Sequence, residues 1–123
     1  MTQEEKDLLI KDLCARLPYE VKCKYYDHLN NNYDEGTIRG FERNDMFEID
    51  GVCIHVENVK PYLFPLSSMT DEQDAEYNDL NCYALGIFPS MEAALDYLIE
   101  NHFDYRNLID IGLAIDATGL NIY

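Results

Sequence analysis

Residues Met46–Val56 read MFEIDGVCIHV, two short runs of strand-forming residues on either side of Asp50-Gly51. Asp-Gly tolerates positive φ at both central positions of a type I′ turn, and the twist of that turn matches the twist of paired strands. The dipeptide between apolar runs is therefore a hairpin signal. Met46–Ile49 and Val52–Val56 are read as two antiparallel strands. Upstream, Gly36–Arg43 (GTIRGFER) is read as a further strand, joined to Met46 through the turn-forming pair Asn44-Asp45. His28–Glu35 (HLNNNYDE) is polar and Asn-rich and is read as a loop. Tyr19–Tyr26 alternates, with Val21, Cys23 and Tyr25 on one side and Lys22 and Lys24 on the other. That is the pattern of a strand with one wet face. Four short strands at this spacing imply a small, strongly curved antiparallel sheet or an SH3-like barrel.

Helical signals flank this block. Thr2 and Glu5 form a capping box, which starts a helix near Gln3. Leu9, Ile10, Leu13, Cys14 and Leu17 give it an apolar face, and Pro18 ends it. After the strands, Val59–Met69 (VKPYLFPLSSM) holds two prolines four residues apart, which excludes a helix. It is read as an apolar, extended connector packed across the sheet. Thr70 and Gln73 form a second capping box, for a helix over Asp71–Leu80. Ser90 caps a third, Met91–Asn101, whose buried face is Ala94, Leu95, Leu98 and Ile99. Asp104 caps a short fourth, Tyr105–Ile111, closed by a left-handed Gly112, and Leu113–Ala117 is a last strand. The fold class is α+β: an N-terminal helix, the small sheet or barrel, and a helical C-terminal half, in a single domain over residues 1–123. The expected core comprises Leu9, Leu13, Leu17, Val21, Cys23, Ile38, Phe47, Ile49, Ile54, Leu95, Leu98 and Leu108.

Charge is distributed unevenly. The chain has 24 Asp/Glu against 9 Lys/Arg, for a net charge of −15, and Arg106 is the only base beyond residue 60. Such a surface repels nucleic acid and anionic membranes and attracts a basic partner. No apolar run is long enough to span a bilayer. The opening MTQEEKDLL is acidic where a signal peptide is basic and then apolar, so a cytoplasmic location is expected. Cys14, Cys23, Cys53 and Cys82 have neither zinc nor redox spacing and are expected to be reduced thiols. No cofactor is implied.

Three constellations carry chemistry. The first is acidic. Glu72, Glu76 and Asp79 stand at i, i+4, i+7 on the second helix, and Glu92, Asp96 and Glu100 at i, i+4, i+8 on the third. Like charges at this spacing cost roughly 0.2–0.5 kcal/mol per pair. The plain reading is a solvated face. The functional one is a docking surface for a basic protein, or, more sharply, a DNA mimic that inhibits a host nucleic-acid-binding protein. The second is aromatic. Tyr25, Tyr26, Tyr33 and Phe41 lie on or between the expected strands, where small barrels build peptide grooves or cation cages; core packing is the plain alternative. The third is Cys53, His55 and Glu57, alternate residues carrying zinc-ligand chemistry, as a small metal-dependent hydrolase would need. An ordinary exposed strand face is the simpler reading, because alternate strand positions rarely supply more than two ligands. His102 ends the third helix, where the helix dipole favours a histidine.

The stretches Lys11–Lys22 (KDLCARLPYEVK), Lys60–Thr70 (KPYLFPLSSMT) and Asn101–Ile109 (NHFDYRNLI) resemble ones in short uncharacterised proteins encoded by phages and mobile elements of gut anaerobic bacteria. The resemblance implies a bacterial or phage cytosolic origin. It implies no activity and transfers no site residue. The sequence is thus read as a non-enzymatic, acidic protein-interaction module, an accessory protein of a phage or mobile element. A protein partner, basic in character, is expected, with no direct nucleic-acid binding.

Overall fold

A computed structural model describes residues 1–80 and 91–123. Cys82 and the expected cap Ser90 lie outside the described residues. Helix α1 spans Gln3–Arg16. Its capping box is formed: the Glu5 N–H donates to Thr2 Oγ1 at 3.1 Å and the Thr2 N–H to Glu5 Oε1 at 3.0 Å. Beyond it Leu17–Tyr19 tighten into a 3₁₀ turn around Pro18, and Glu20, at φ 53°, redirects the chain into β1 (Lys22–Asp27).

Strands β1 and β2 (Asn32–Phe41) form an in-register hairpin from Lys22↔Thr37 to Asp27↔Asn32. The expected loop over His28–Glu35 is therefore wrong: only residues 28–31 turn. Asp27 causes the tightness, with Oδ1 accepting from the Leu29 N–H at 2.9 Å and Oδ2 from Asn30 Nδ2 at 2.7 Å, while Asn31 takes φ 51°. Short polar side chains that bond their own backbone make a tight turn where composition alone suggests a loop. The second half of β2 pairs with β3 (Met46–Ile49), with a register shift between Ile38 and Gly40. Strand β4 (Val52–His55) returns from Asp50-Gly51, whose φ values of 48° and 90° are those of the expected turn.

The Val59–Met69 segment is not a connector across the sheet. Its first part is β5 (Val59–Pro65), hydrogen-bonded to β1 from Cys23↔Pro61 to Tyr25↔Val59. Pro61 closes the ladder with β1, and Pro65 closes the one with β6 (Phe103–Asp104), so neither missing N–H interrupts a run of pairs. Strands β6 and β7 (Ile115–Asp116) both lie parallel to β5. The order is β4-β3-β2-β1-β5-β6, with β7 also on β5. This corrects the expected antiparallel sheet and SH3-like barrel. The sheet is mixed, and among the described residues β4 pairs with β3 alone, so the sheet stays open. The edge of β1 that barrel closure would need is taken by β5.

The helical C-terminal half is also corrected. Helices α2 (Asp71–Leu80) and α3 (Met91–Glu100) form, but Tyr105–Ile111 runs as turns. Asp104 does bond the backbone ahead of it, its carboxylate accepting from the N–H groups of Arg106, Leu108 and Ile109 at 3.2, 3.0 and 2.9 Å. Asn107, at φ 58°, then leaves helical space. The core gathers Leu9 and Leu13 of α1, the inner face of the sheet, and Leu108, Leu113 and Ala114. Leu17 is only half-buried, and Leu95 is 39% exposed because α3 turns Ala94, Leu98 and Ile99 inward instead.

The apolar stripe of α1 includes a pair that hydropathy conceals. Asp12 and Arg16 are both fully buried. Arg16 Nε donates to Asp12 Oδ2 at 2.8 Å, and Arg16 Nη2 to Asp12 Oδ1 at 3.2 Å and to the Phe103 carbonyl at 2.7 Å. Arg106 Nε adds a third donor to Asp12 at 3.2 Å. Asp12→Ala leaves a guanidinium buried without its counterion and is expected to cost about 3–5 kcal/mol in urea unfolding at pH 7. Asp12→Leu combined with Arg16→Met is expected to recover most of that loss, since both charges of the fully buried pair are then removed together.

Candidate functional site

Alternation along β1 sends Cys23, Tyr25 and Asp27 inward and Lys22, Lys24 and Tyr26 outward. The register then decides their neighbours. Tyr26 stands opposite Tyr33 on β2, and Lys24 lies between Glu35 on β2 and Lys60 on β5. The two tyrosine rings meet edge to face at 5.1 Å and 70°. Lys24 Nζ lies 5.1 Å from the Tyr33 ring centre. The His28 ring packs against Tyr26 at 4.7 Å, and His28 Nε2 is 3.1 Å from Asn58 Nδ2. Lys24, Tyr26 and Tyr33, with Glu57, Asn58, Lys60 and Ile115, line a groove of about 460 Å³, a size that suits a small ligand or a short peptide segment.

The groove wall carries two lysines and one carboxylate, Glu57. Among the described residues neither Lys24 nor Lys60 forms an ion pair. The carboxylates closest in sequence register are engaged elsewhere. Glu35 Oε1 accepts from the Tyr62 hydroxyl at 2.8 Å, and Glu57 Oε1 receives Lys6 Nζ of α1 at 2.9 Å. Burial, then the hydrogen bond to Glu35, pushes the Tyr62 hydroxyl up to about 12. The bond to Lys6 holds the Glu57 carboxyl below its ordinary value. A second hollow of about 330 Å³, lined in part by Lys22, Glu35, Tyr62 and Ile122, opens from the same strands.

Of the aromatic residues singled out from the sequence, Tyr26 and Tyr33 meet in this groove; Tyr25 and Phe41 do not. Tyr25 is 6% exposed, on the core side of β1, because neighbouring strand residues face opposite ways. Phe41 packs on Phe47 at 5.0 Å, at the far end of β2. Lys24 was legible as outward-facing from alternation. Lys60, Asn58 and Ile115 carried no sequence signal, since their place depends on β5 joining the sheet.

Cys53, His55 and Glu57 do not assemble. The strand ends at His55, and Val56–Asn58 form a 3₁₀ turn that sends Glu57 to Lys6. His55 Nδ1 accepts from the Glu57 N–H at 3.2 Å, capping that turn. Among the described residues no group of three His, Cys, Asp or Glu side chains is arranged to hold a metal ion. The acidic residues Glu72, Glu76, Asp79, Glu92, Asp96 and Glu100 are all exposed, on helices that pack against each other. Burial and a hydrogen bond to Glu76 raise the Tyr97 hydroxyl, which ties the two helices together.

His102 is not a dipole-stabilised cation. It lies at φ 63°, stacks on Tyr123 at 3.8 Å and 11°, and has a buried Nδ1 that finds no hydrogen-bond partner among the described residues. Burial, then the charges of Arg16 and Lys22, pulls it down to about 4. The Tyr123 hydroxyl accepts from the Lys22 N–H at 3.0 Å and donates to the Tyr62 carbonyl at 2.7 Å, so this stack braces the strands beside the groove.

No protein-family model, curated protein sequence or solved structure matches the chain. Among the described residues no helix is long and apolar enough to cross a membrane.

The folded chain refuses the His102 proton until about pH 4, whereas the unfolded chain takes it near the ordinary value of 6.5. His102 therefore adds stability above pH 6.5 that is lost as the pH falls through that window. After discounting for partial exposure, the loss is about 1–2 kcal/mol. Urea unfolding at neutral pH and near the lower pKa is expected to show a smaller fall for His102→Gln than for the parent protein.

Proposed function

We propose that the protein is a non-enzymatic interaction module that docks a segment of a partner protein in the groove between β1, β2 and β5. The observation that carries this reading is the outward Tyr26–Tyr33 pair beside two lysines that form no ion pair among the described residues. Tyrosines offer a large contact area at low entropic cost and recur as interface anchors. The acidic shell supports the same reading, because it keeps nucleic acid away and draws in partners whose rim is basic. The resemblance of three stretches to phage and mobile-element proteins supports an accessory role in a bacterial cytoplasm. Tyr26→Ala and Tyr33→Ala are each expected to weaken capture of the partner about tenfold, with unfolding midpoints near the parent value. Capture that is indifferent to both would sink the reading.

A second reading has its own observation. Helices α2 and α3 lie side by side with eight exposed carboxylates, and Arg106, the only base beyond residue 60, is held by Asp12. Such a face suits a basic nucleic-acid-binding protein, which it would inhibit as a DNA mimic. That partner is expected to be captured at low salt and released near molar salt, where the Debye length is about 3 Å. Glu72→Gln with Glu76→Gln and Asp96→Asn is expected to abolish its capture. Capture that survives both changes excludes the mimic.

A further inference from the structure

Lys24 and Lys60 are direct cross-strand partners. Like charges placed opposite each other destabilise a sheet. This chain nevertheless keeps the pair although its acids outnumber its bases by 24 to 9. Among the described residues neither lysine forms an ion pair: Glu35, the neighbour of Lys24 on β2, spends one oxygen on the Tyr62 hydroxyl, and Glu57 is paired with Lys6. Beside the two ammonium groups stand the Tyr26–Tyr33 pair and Ile115 as an apolar wall, with Asn58 and the Lys6-paired Glu57 as a polar edge.

We propose that this groove binds a carboxylate carried next to a flat apolar group, as an acidic residue beside an aromatic one presents in a partner segment. The inference rests on the docking reading above for the source of that carboxylate. An anion between Lys24 and Lys60 converts cross-strand repulsion into charge-assisted hydrogen bonds. Its flat neighbour meets the tyrosine edges and Ile115. A single negative charge suits the site better than a dianion, since Glu57 in the groove wall repels each further charge, while acids beyond the screening length of about 8 Å add little.

The probes are benzoate, phenyl phosphate and benzyl alcohol, titrated into the full chain and followed by NMR shifts of backbone and lysine side chains. Benzoate is expected to give saturable shifts centred on Lys24, Tyr26, Tyr33 and Lys60. Benzyl alcohol is expected to bind about tenfold more weakly, and phenyl phosphate no more tightly than benzoate. Lys60→Glu replaces repulsion by attraction across the strands, so it is expected to keep or raise the melting temperature while weakening benzoate about tenfold. Scattered shifts, equal binding of benzyl alcohol, or undiminished binding by Lys60→Glu would overturn the proposal. Phenyl phosphate binding tenfold tighter than benzoate overturns the carboxylate assignment. Benzoate binding with partner capture indifferent to Tyr26→Ala keeps the anion site and removes the docking reading. Tyrosine-dependent capture without benzoate binding removes the anion site alone.

Discussion

Arg16 has no access to water, so its charge must be met from inside the protein. Asp12, one helical turn away on α1, supplies the counterion, and the Phe103 carbonyl accepts a further hydrogen bond. Arg106 then closes on the same carboxylate, and both guanidinium groups lie over the ring of Tyr105, at 5.5 and 4.7 Å. These contacts join α1 to residues 87 and 94 positions further along the chain. A buried pair of this kind returns little net stability, because desolvation offsets most of the attraction. What it supplies is an address: the segment after α3 brings the Phe103 carbonyl to Arg16 Nη2, although Nη1 finds no hydrogen-bond partner among the described residues.

The rest of the sheet follows from that placement. With Phe103 held at Arg16, β6 lies along the end of β5, and Asp104 folds the following residues into turns that seat Leu108 in the core. The chain then returns as β7 beside Tyr62 and Leu63. Strand β5 thereby becomes central, with β1 on its first half and short parallel strands on its second. The His102–Tyr123 stack braces the same place, through the Lys22 N–H and the Tyr62 carbonyl. Packing that secures the C-terminal residues also presents Lys60 to Lys24.

The two charged surfaces arise in different ways. The acids of α2 and α3 are local in origin: helical spacing alone lines them up, and solvent screens them. The lysine groove is tertiary in origin, made by strands more than thirty residues apart in sequence. In the groove, local contacts are set against the overall field of a strongly acidic molecule.

Local chemistry was legible in the sequence. Thr2 and Glu5, Thr70 and Gln73, and Asp50-Gly51 act within a few residues, and their caps and turn formed as their side chains dictate. Alternation placed Val21, Cys23 and Tyr25 inside and Lys24 outside, because a strand's pleat requires it. The groove was half legible: Tyr26 and Tyr33 were marked, but the reading of His28–Glu35 as a loop hid that they face each other across a hairpin. Tertiary structure decided the rest. The buried Asp12–Arg16 pair looked like surface charge, since the partners that make it tolerable lie at the other end of the chain. Val59–Pro65 looked like a connector, since a strand with two prolines is stable only where its ladders happen to end. Lys60 took on meaning only when a hydrogen-bonded register set it opposite Lys24, and register between distant strands is a property of the whole packed core.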